Sequence, residues 1–480
     1  MAFVQPTVHH AQPLLIKQRL ASGIVVVPDI SARASLPDDQ ERTMAKATIE
    51  SALAGIGADG DAGIFRKIAW RLLPFLLLCY VLAYLDRVNI GYAKFGMQSE
   101  FGLSDAAYGL GAGIFFIGYV LFEVPSGLWQ VRIGIRKTIG RIMLLWGLTS
   151  VAMIFVGGAY EFYALRFLLG AFEAGFAPGM LYYLSSWFPS ARRAQIMSVV
   201  LLAGPVSNVL GGPLSTFILS SMDGTAGLAG WRWMFILEGM PSVLIGVAAF
   251  FYLTETPAEA KWLRPIERDR LADILERDTC SAKGDFATVV RDPRVYGFAA
   301  VYFCLISGLY TVSYWLPTLL REAGIKDVMR VGWLAALPYL AAIVAMLLNA
   351  RSSDRRRERS WHVAVPAFLG AVGMAAAASV TGQAGMALLA IGLATMGTYA
   401  AYAVFWAAPS AYLKGRGAAG GIALINSIGA FGGFVSPFVI GWLKTATGSL
   451  TSGLFAMAAF LATGAVLALL TAPRRKEATA

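Results

Sequence analysis

Residues 72–93 read LLPFLLLCYVLAYLDRVNIGYA, an apolar run broken only near its end by the adjacent pair Asp86 and Arg87. A hydrocarbon layer roughly 30 Å thick is crossed by about 20 helical residues, which this stretch supplies. An ionisable side chain near the middle of such a helix costs about 2.5–3.5 kcal/mol on insertion scales, so Asp86 and Arg87 are read as functional groups by default.

Working outward, comparable runs recur at 108–129, 138–157, 162–187, 195–220 and 231–253. After a polar stretch at 254–294 they resume at 295–320, 331–350, 363–381, 385–413, 417–443 and 450–471. The sequence therefore predicts an all-α membrane protein with about twelve transmembrane helices, six before the polar stretch and six after it. Composition agrees: 57% of the 480 residues are hydrophobic and only 14% charged, against roughly one quarter charged in soluble domains, which excludes a soluble enzyme and a disordered chain. The three cysteines (Cys79, Cys280, Cys304) and three histidines (His9, His10, His362) are too scattered for a disulfide framework or a metal site, and no cofactor is expected. The net charge of +11 comes from Lys and Arg lying between apolar runs and not along one stripe, which points to anchoring in a lipid bilayer and not to nucleic acid.

Basic residues cluster in alternate connections: Arg132, Arg136, Lys137 and Arg141, then Arg192 and Arg193, then the run from Arg351 to Arg359, then Lys414 and Arg416, with Arg474, Arg475 and Lys476 in the tail. The opposite connections hold mainly Lys94, Arg321, Lys326, Arg330 and Lys444, partly offset by acidic neighbours. Positive loops stay inside, so both termini and the central stretch are expected on the cytoplasmic side of a bacterial inner membrane.

The expected organisation is a cytoplasmic tail without fixed structure over 1–65, a six-helix bundle over 66–253, a linker over 254–294, a second six-helix bundle over 295–472 and a short tail over 473–480. The apolar piece from Ile24 to Val27 is too short for a secretory signal, and Met44 is a candidate start. In the linker, Leu263, Ile266, Leu271, Ile274 and Leu275 recur at helical spacing amid charges of both signs, which suits a surface helix and a plain solvated linker equally.

The halves repeat each other. GPVSNVLGGP (204–213) in the fifth run and NSIGAFGGFVSP (426–437) in the eleventh are Gly-rich and punctuated by Pro, and residues 127–137 after the second run match 350–359 after the eighth. Small residues let helix backbones approach, and paired interruptions in two halves mark a transporter core.

Charge is divided unequally. Asp86, Arg87, Glu123, Arg166, Glu173 and Glu238 all fall inside apolar runs of the first half. The second half offers Tyr302, Tyr310, Ser313, Tyr314, Trp315, Tyr399, Tyr402, Trp406, Ser410 and Asn426 instead. At 1.5 Å per residue, Asp86, Arg87 and Arg166 reach similar depth, and Glu173 lies about 10 Å below Arg166 on the same face. For Glu123 and Glu238, structural pairing is the favoured reading.

These residues resemble the anion:cation symporter branch of the major facilitator superfamily. The resemblance runs through YLDRVNIGYAK (84–94), GYVLFEVPSG (118–127), RFLLGAFEAGFAPGMLYYLSSWFP (166–189), GWRWMFILEGMP (230–241), SDRRRERSWHVA (353–364), FWAAPSAYL (405–413) and INSIGAFGGFVSPFVIGWL (425–443). It implies the major facilitator fold, two pseudo-symmetric six-helix bundles, and import of small organic anions such as sugar acids, tartrate or aromatic acids with protons. By the same resemblance Asp86 and Glu173 are expected to carry protons, and Tyr84, Arg87, Tyr119, Arg166, Trp406 and Asn426 to bind substrate. Two positions depart from the superfamily's loop pattern, with Val131 in place of an Asp and Ala350 in place of a Gly, whereas Asp354 is kept. The expectation is a proton-coupled carboxylate importer, working as a monomer and not an enzyme; an organic anion exchanger and a non-transporting substrate sensor of the same fold are the alternatives. Arg87 and Arg166 hold their protons under all conditions and suit a carboxylate, while Asp86 and Glu173 can change charge.

Overall fold

Helices occupy the apolar runs and extend a few residues beyond most of their ends, because a backbone leaving the hydrocarbon layer keeps its hydrogen bonds internal until water can replace them. The computed structural model describes residues 15–20, 23–28, 38–189, 192, 196, 200–279, 289–380, 383–413 and 417–471, in two units, Met1–Lys67 and Ile68–Ala480. Arg193, Lys414, Arg416, Arg474, Arg475 and Lys476, expected to mark the positive face, lie outside the described residues, as do Cys280 and the short tail.

Within the first unit, β1 (Leu15–Leu20) pairs antiparallel with β2 (Gly23–Pro28), in register from Leu15 opposite Pro28 to Leu20 opposite Gly23. The β-branched run Ile24 to Val27 suits a strand, since side chains branched at Cβ fit the pleated surface. A helix, α1 (Asp38–Val88), begins well before the expected boundary at residue 66.

The first span continues across Asn89 into α2 (Ile90–Phe101). Then come α3 (Asp105–Ile133), α4 (Ile135–Ala152), α5 (Ala159–Glu173) continued by α6 (Phe176–Ser185), α7 (Ala203–Ser221) and α8 (Gly230–Tyr252). The linker contains α9 (Pro265–Thr279), so the surface-helix reading applies; it buries Leu271 but leaves Ile266 exposed, and Trp262 stacks on Trp187 at 5.5 Å. The second half comprises α10 (Pro293–Glu322), α11 (Val328–Arg356), α12 (Ser360–Ser379), α13 (Ala384–Phe405) with α14 (Ala407–Tyr412), α15 (Gly417–Ala430) with α16 (Gly432–Thr447), and α17 (Thr451–Leu470). Among the described residues eleven spans are long and apolar enough to cross a membrane. The expected fifth, α7, is diluted by Gly, Ser and Pro, and parts of its expected start, residues 193–195 and 197–199, lie outside the described residues.

The Gly-rich helices join the halves: α7 packs on α11, and α16 on α3. A Cβ on Gly212 would lie 2.6 Å from the Gly332 carbonyl oxygen, so this crossing tolerates no side chain on either backbone. Polar ties reinforce the contact. Lys94, read from sequence as a loop charge, is fully buried, because α2 continues the first span past it. Its ammonium lies 2.6 Å from Asp105 and donates to Thr318 at 3.2 Å; Lys444 bridges Asp105 at 3.4 Å and Glu322 at 2.7 Å. In the loop that keeps Asp354, that carboxylate pairs with Arg359 at 2.6 Å.

Candidate functional site

A cavity of about 60 Å³ lies between the halves. Helix α1 contributes Tyr80, Tyr84 and Arg87, which fall on one face at intervals of four and three residues; α3 contributes Phe116 and Tyr119. Glu173 closes α5, and the helix breaks directly after it: Ala174 is non-helical, and Gly175, at φ +88°, takes the left-handed conformation before α6 resumes at Phe176. From the second half, Tyr302, Ile306 and Tyr310 line the cavity at four-residue intervals on α10, with Tyr402 from α13 and Asn426 from α15.

Arg87 is the centre of this arrangement. Its guanidinium donates to Glu173 of the first half and to the Tyr310 hydroxyl of the second. Four rings surround it, Tyr84 at 5.0 Å, Phe115 at 5.1 Å, and Tyr119 and Tyr310 at 5.9 Å, while its Nε has no hydrogen-bond partner among the described residues. A desolvated cation over ring faces is stabilised by the quadrupoles, and the open Nε leaves one edge of the fork half used.

The expected set of four ionisable groups does not form one cluster. Asp86 precedes Arg87 by one residue, about 100° around the helix, and faces away from it. Buried inside the first half, it accepts from Ser242 at 2.6 Å, Ser150 at 2.8 Å and the Trp146 indole at 3.0 Å. Arg166, expected at the depth of Arg87, is fully buried and donates to the carbonyl oxygens of Gly111 and Ala112, each at 3.3 Å; it does not line the cavity, although it shares the Phe115 ring with Arg87 at 5.2 Å. Shared depth along two helices did not imply contact, because helix rotation decides which neighbour each side chain meets.

Of the other expected residues, Tyr84, Tyr119 and Asn426 line the cavity. Trp406 stands behind the wall, packed edge-on against Tyr302 at 4.8 Å where α13 gives way to α14. The Asn426 amide donates to Glu123 at 2.7 Å, and the Ser427 hydroxyl donates to the same carboxylate at 2.8 Å. Glu123 is thus paired, as sequence suggested, but with neutral groups of the opposite half. Glu238 accepts from Ser215 at 2.6 Å. Tyr310 was missed as a site residue; its signal was the four-residue recurrence of Tyr302, Ile306 and Tyr310, which puts them on one face of α10.

Residues 76–437 match the Major Facilitator Superfamily. The chain belongs to that family. A protein of Agrobacterium vitis named "Putative tartrate transporter" is 45% identical over 417 residues, covering 86% of this chain and 92% of its own length. The "Inner membrane transport protein RhmT" of Escherichia coli strain K12 is 37% identical over 406 residues, covering 84% of this chain and 94% of its own. Among solved structures, the inward open xylose transporter XylE of E. coli superposes with a TM-score of 0.69 at 16% identity, over 85% of this chain and 97% of that one. The relatives bear out the resemblance to the anion:cation symporter branch, and the superposition bears out the major facilitator fold. The protein is a multi-pass membrane transporter and not an enzyme.

Proposed function

We propose that this facilitator-family protein imports a small organic carboxylate across a bacterial inner membrane by proton symport, with the two halves rocking about the cavity in alternating access. The observation that carries the reading is Arg87, a permanent cation in the cavity, held between Glu173 and Tyr310. An incoming carboxylate takes the Nε edge of the fork and competes with Glu173 for the guanidinium. Glu173 leaves that pair most readily when it takes up a proton, which couples proton to substrate. Asp86 is the second proton carrier, held by three neutral donors and, among the described residues, by no cation. Tyr84, Tyr119 and Asn426 contact substrate directly, while Arg166 and Trp406 fix the walls through Phe115 and Tyr302. The organic-anion class is supported by the name of the Agrobacterium relative, and the inner membrane by that of the E. coli relative. The positive-inside pattern supports cytoplasmic termini, and both halves of one chain line the cavity, which suits a monomer.

The test is uptake by proteoliposomes with an imposed pH gradient, acid outside. Wild-type protein is expected to concentrate a labelled acid, and Asp86→Asn and Glu173→Gln to lose accumulation while keeping exchange, because an amide matches the protonated acid in shape but carries no titratable proton. Accumulation by both variants at the wild-type level would reject proton symport and favour the anion exchanger.

A further inference from the structure

We propose that the substrate is a planar aromatic monocarboxylate. This rests on the cavity being the substrate site, as above, and narrows the class of acid that fits it. Eight of the fifteen described lining residues carry an aromatic ring, six of them tyrosines, and both halves contribute. Ring faces reward a flat apolar solute, whereas a polyhydroxylated chain must find a partner for each hydroxyl among the tyrosine hydroxyls, Arg87, Glu173 and Asn426, of which Arg87 already pairs with Glu173 and the Asn426 amide with Glu123.

Charge sets the number of carboxylates. Among the described residues Arg87 is the one cation lining the cavity, and it already faces Glu173. With Glu173 protonated the lining holds a single positive charge, which matches one carboxylate. A second carboxylate finds no second cation: Arg166 is turned to the carbonyl oxygens of α3, and Lys94 is tied to Asp105 and Thr318. Beside Asn426 the nearest charged group is Glu123, whose donors are the Asn426 amide and the Ser427 hydroxyl, so a substrate anion directed there meets another carboxylate. One Asn426 N–H goes to Glu123, which leaves the amide its oxygen and its second N–H for substrate, and a ring hydroxyl, both donor and acceptor, can use either.

The experiment is calorimetric binding to the purified full chain in detergent at fixed acidic pH, using benzoate, 4-hydroxybenzoate, cyclohexanecarboxylate, phthalate, gluconate and tartrate. Benzoate is expected to bind about tenfold tighter than cyclohexanecarboxylate, which keeps the charge and size but loses the ring, and tighter still than phthalate, gluconate and tartrate. 4-Hydroxybenzoate is expected to exceed benzoate by about three- to tenfold, a gain that Asn426→Ala removes. Should Asn426→Ala fail to fold, the wild-type ranking alone decides. Tartrate or phthalate binding as tightly as benzoate overturns the single-carboxylate assignment, and cyclohexanecarboxylate or gluconate doing so overturns the aromatic one; each leaves carboxylate transport standing. No binding by any of the six acids overturns the site reading and this proposal together.

Discussion

The two halves share a fold but bury different chemistry. In the first, the buried polar side chains include Asp86, Lys94, Glu123, Arg166, Glu173 and Glu238. In the second, tyrosines aside, every buried polar side chain among the described residues is a serine or threonine. Four of those eight hydroxyls satisfy themselves on their own helix, Ser307 on Phe303, Thr311 on Ser307, Thr395 on Ile391 and Thr398 on Ala394. The charges of the first half cannot do this. Asp86 draws donors from α4 and α8, Arg166 reaches α3, and Arg87 and Glu173 join α1 to α5. The first half is therefore pinned by long-range polar contacts, and the second by close packing of small residues such as Ala394 against α12. The half with interdependent polar groups is suited to sense charge, while the second half presents a wall of rings, of which Tyr310 alone among the described residues lining the cavity accepts from Arg87.

Three substitutions can break or sharpen this contrast. The largest effect belongs to Arg87→Ala, which removes a partner from buried Glu173 and is expected to cost about 3–5 kcal/mol. Carboxylate binding should fall below detection by calorimetry, whereas Tyr310→Phe, losing one neutral partner from the other half, should weaken binding only about tenfold or less. Equal losses would show that the second half shares in charge recognition. Next, Ser150→Ala takes one of three donors from Asp86 and should destabilise the first half by about 1.5–3 kcal/mol, a range that Ala394→Leu should match in the second half by overpacking. Thermal unfolding of both in one detergent compares them, and an Ala394→Leu variant as stable as wild type would mean the second half is not held by tight packing. The smallest effect is expected from Thr398→Val, whose lost hydroxyl bonded only its own helix: about 1 kcal/mol or less by the same measurement. A loss as large as that of Ser150→Ala would erase the distinction between the halves.

The sequence by itself determined the spans, the division into halves, the Gly-rich crossings and which half is charged, because each is written in composition along one helix: run length, period and small-residue spacing. It also named Arg87 and Glu173, since an ion inside an apolar run is conspicuous wherever its partner lies. Only the tertiary structure decided the partners. Arg87 meets Glu173 and Tyr310, 86 and 223 residues away, and not its neighbour Asp86. Glu123 meets Asn426 and Ser427, more than 300 residues on, and Arg166 meets backbone carbonyls that no side-chain pattern reveals. Helical periodicity fixes which residues share a face, but which helix that face turns to, and at what rotation, is set by how whole helices pack. The aromatic lining therefore emerged only when rings scattered over α1, α3, α6, α10 and α13 converged on one cavity.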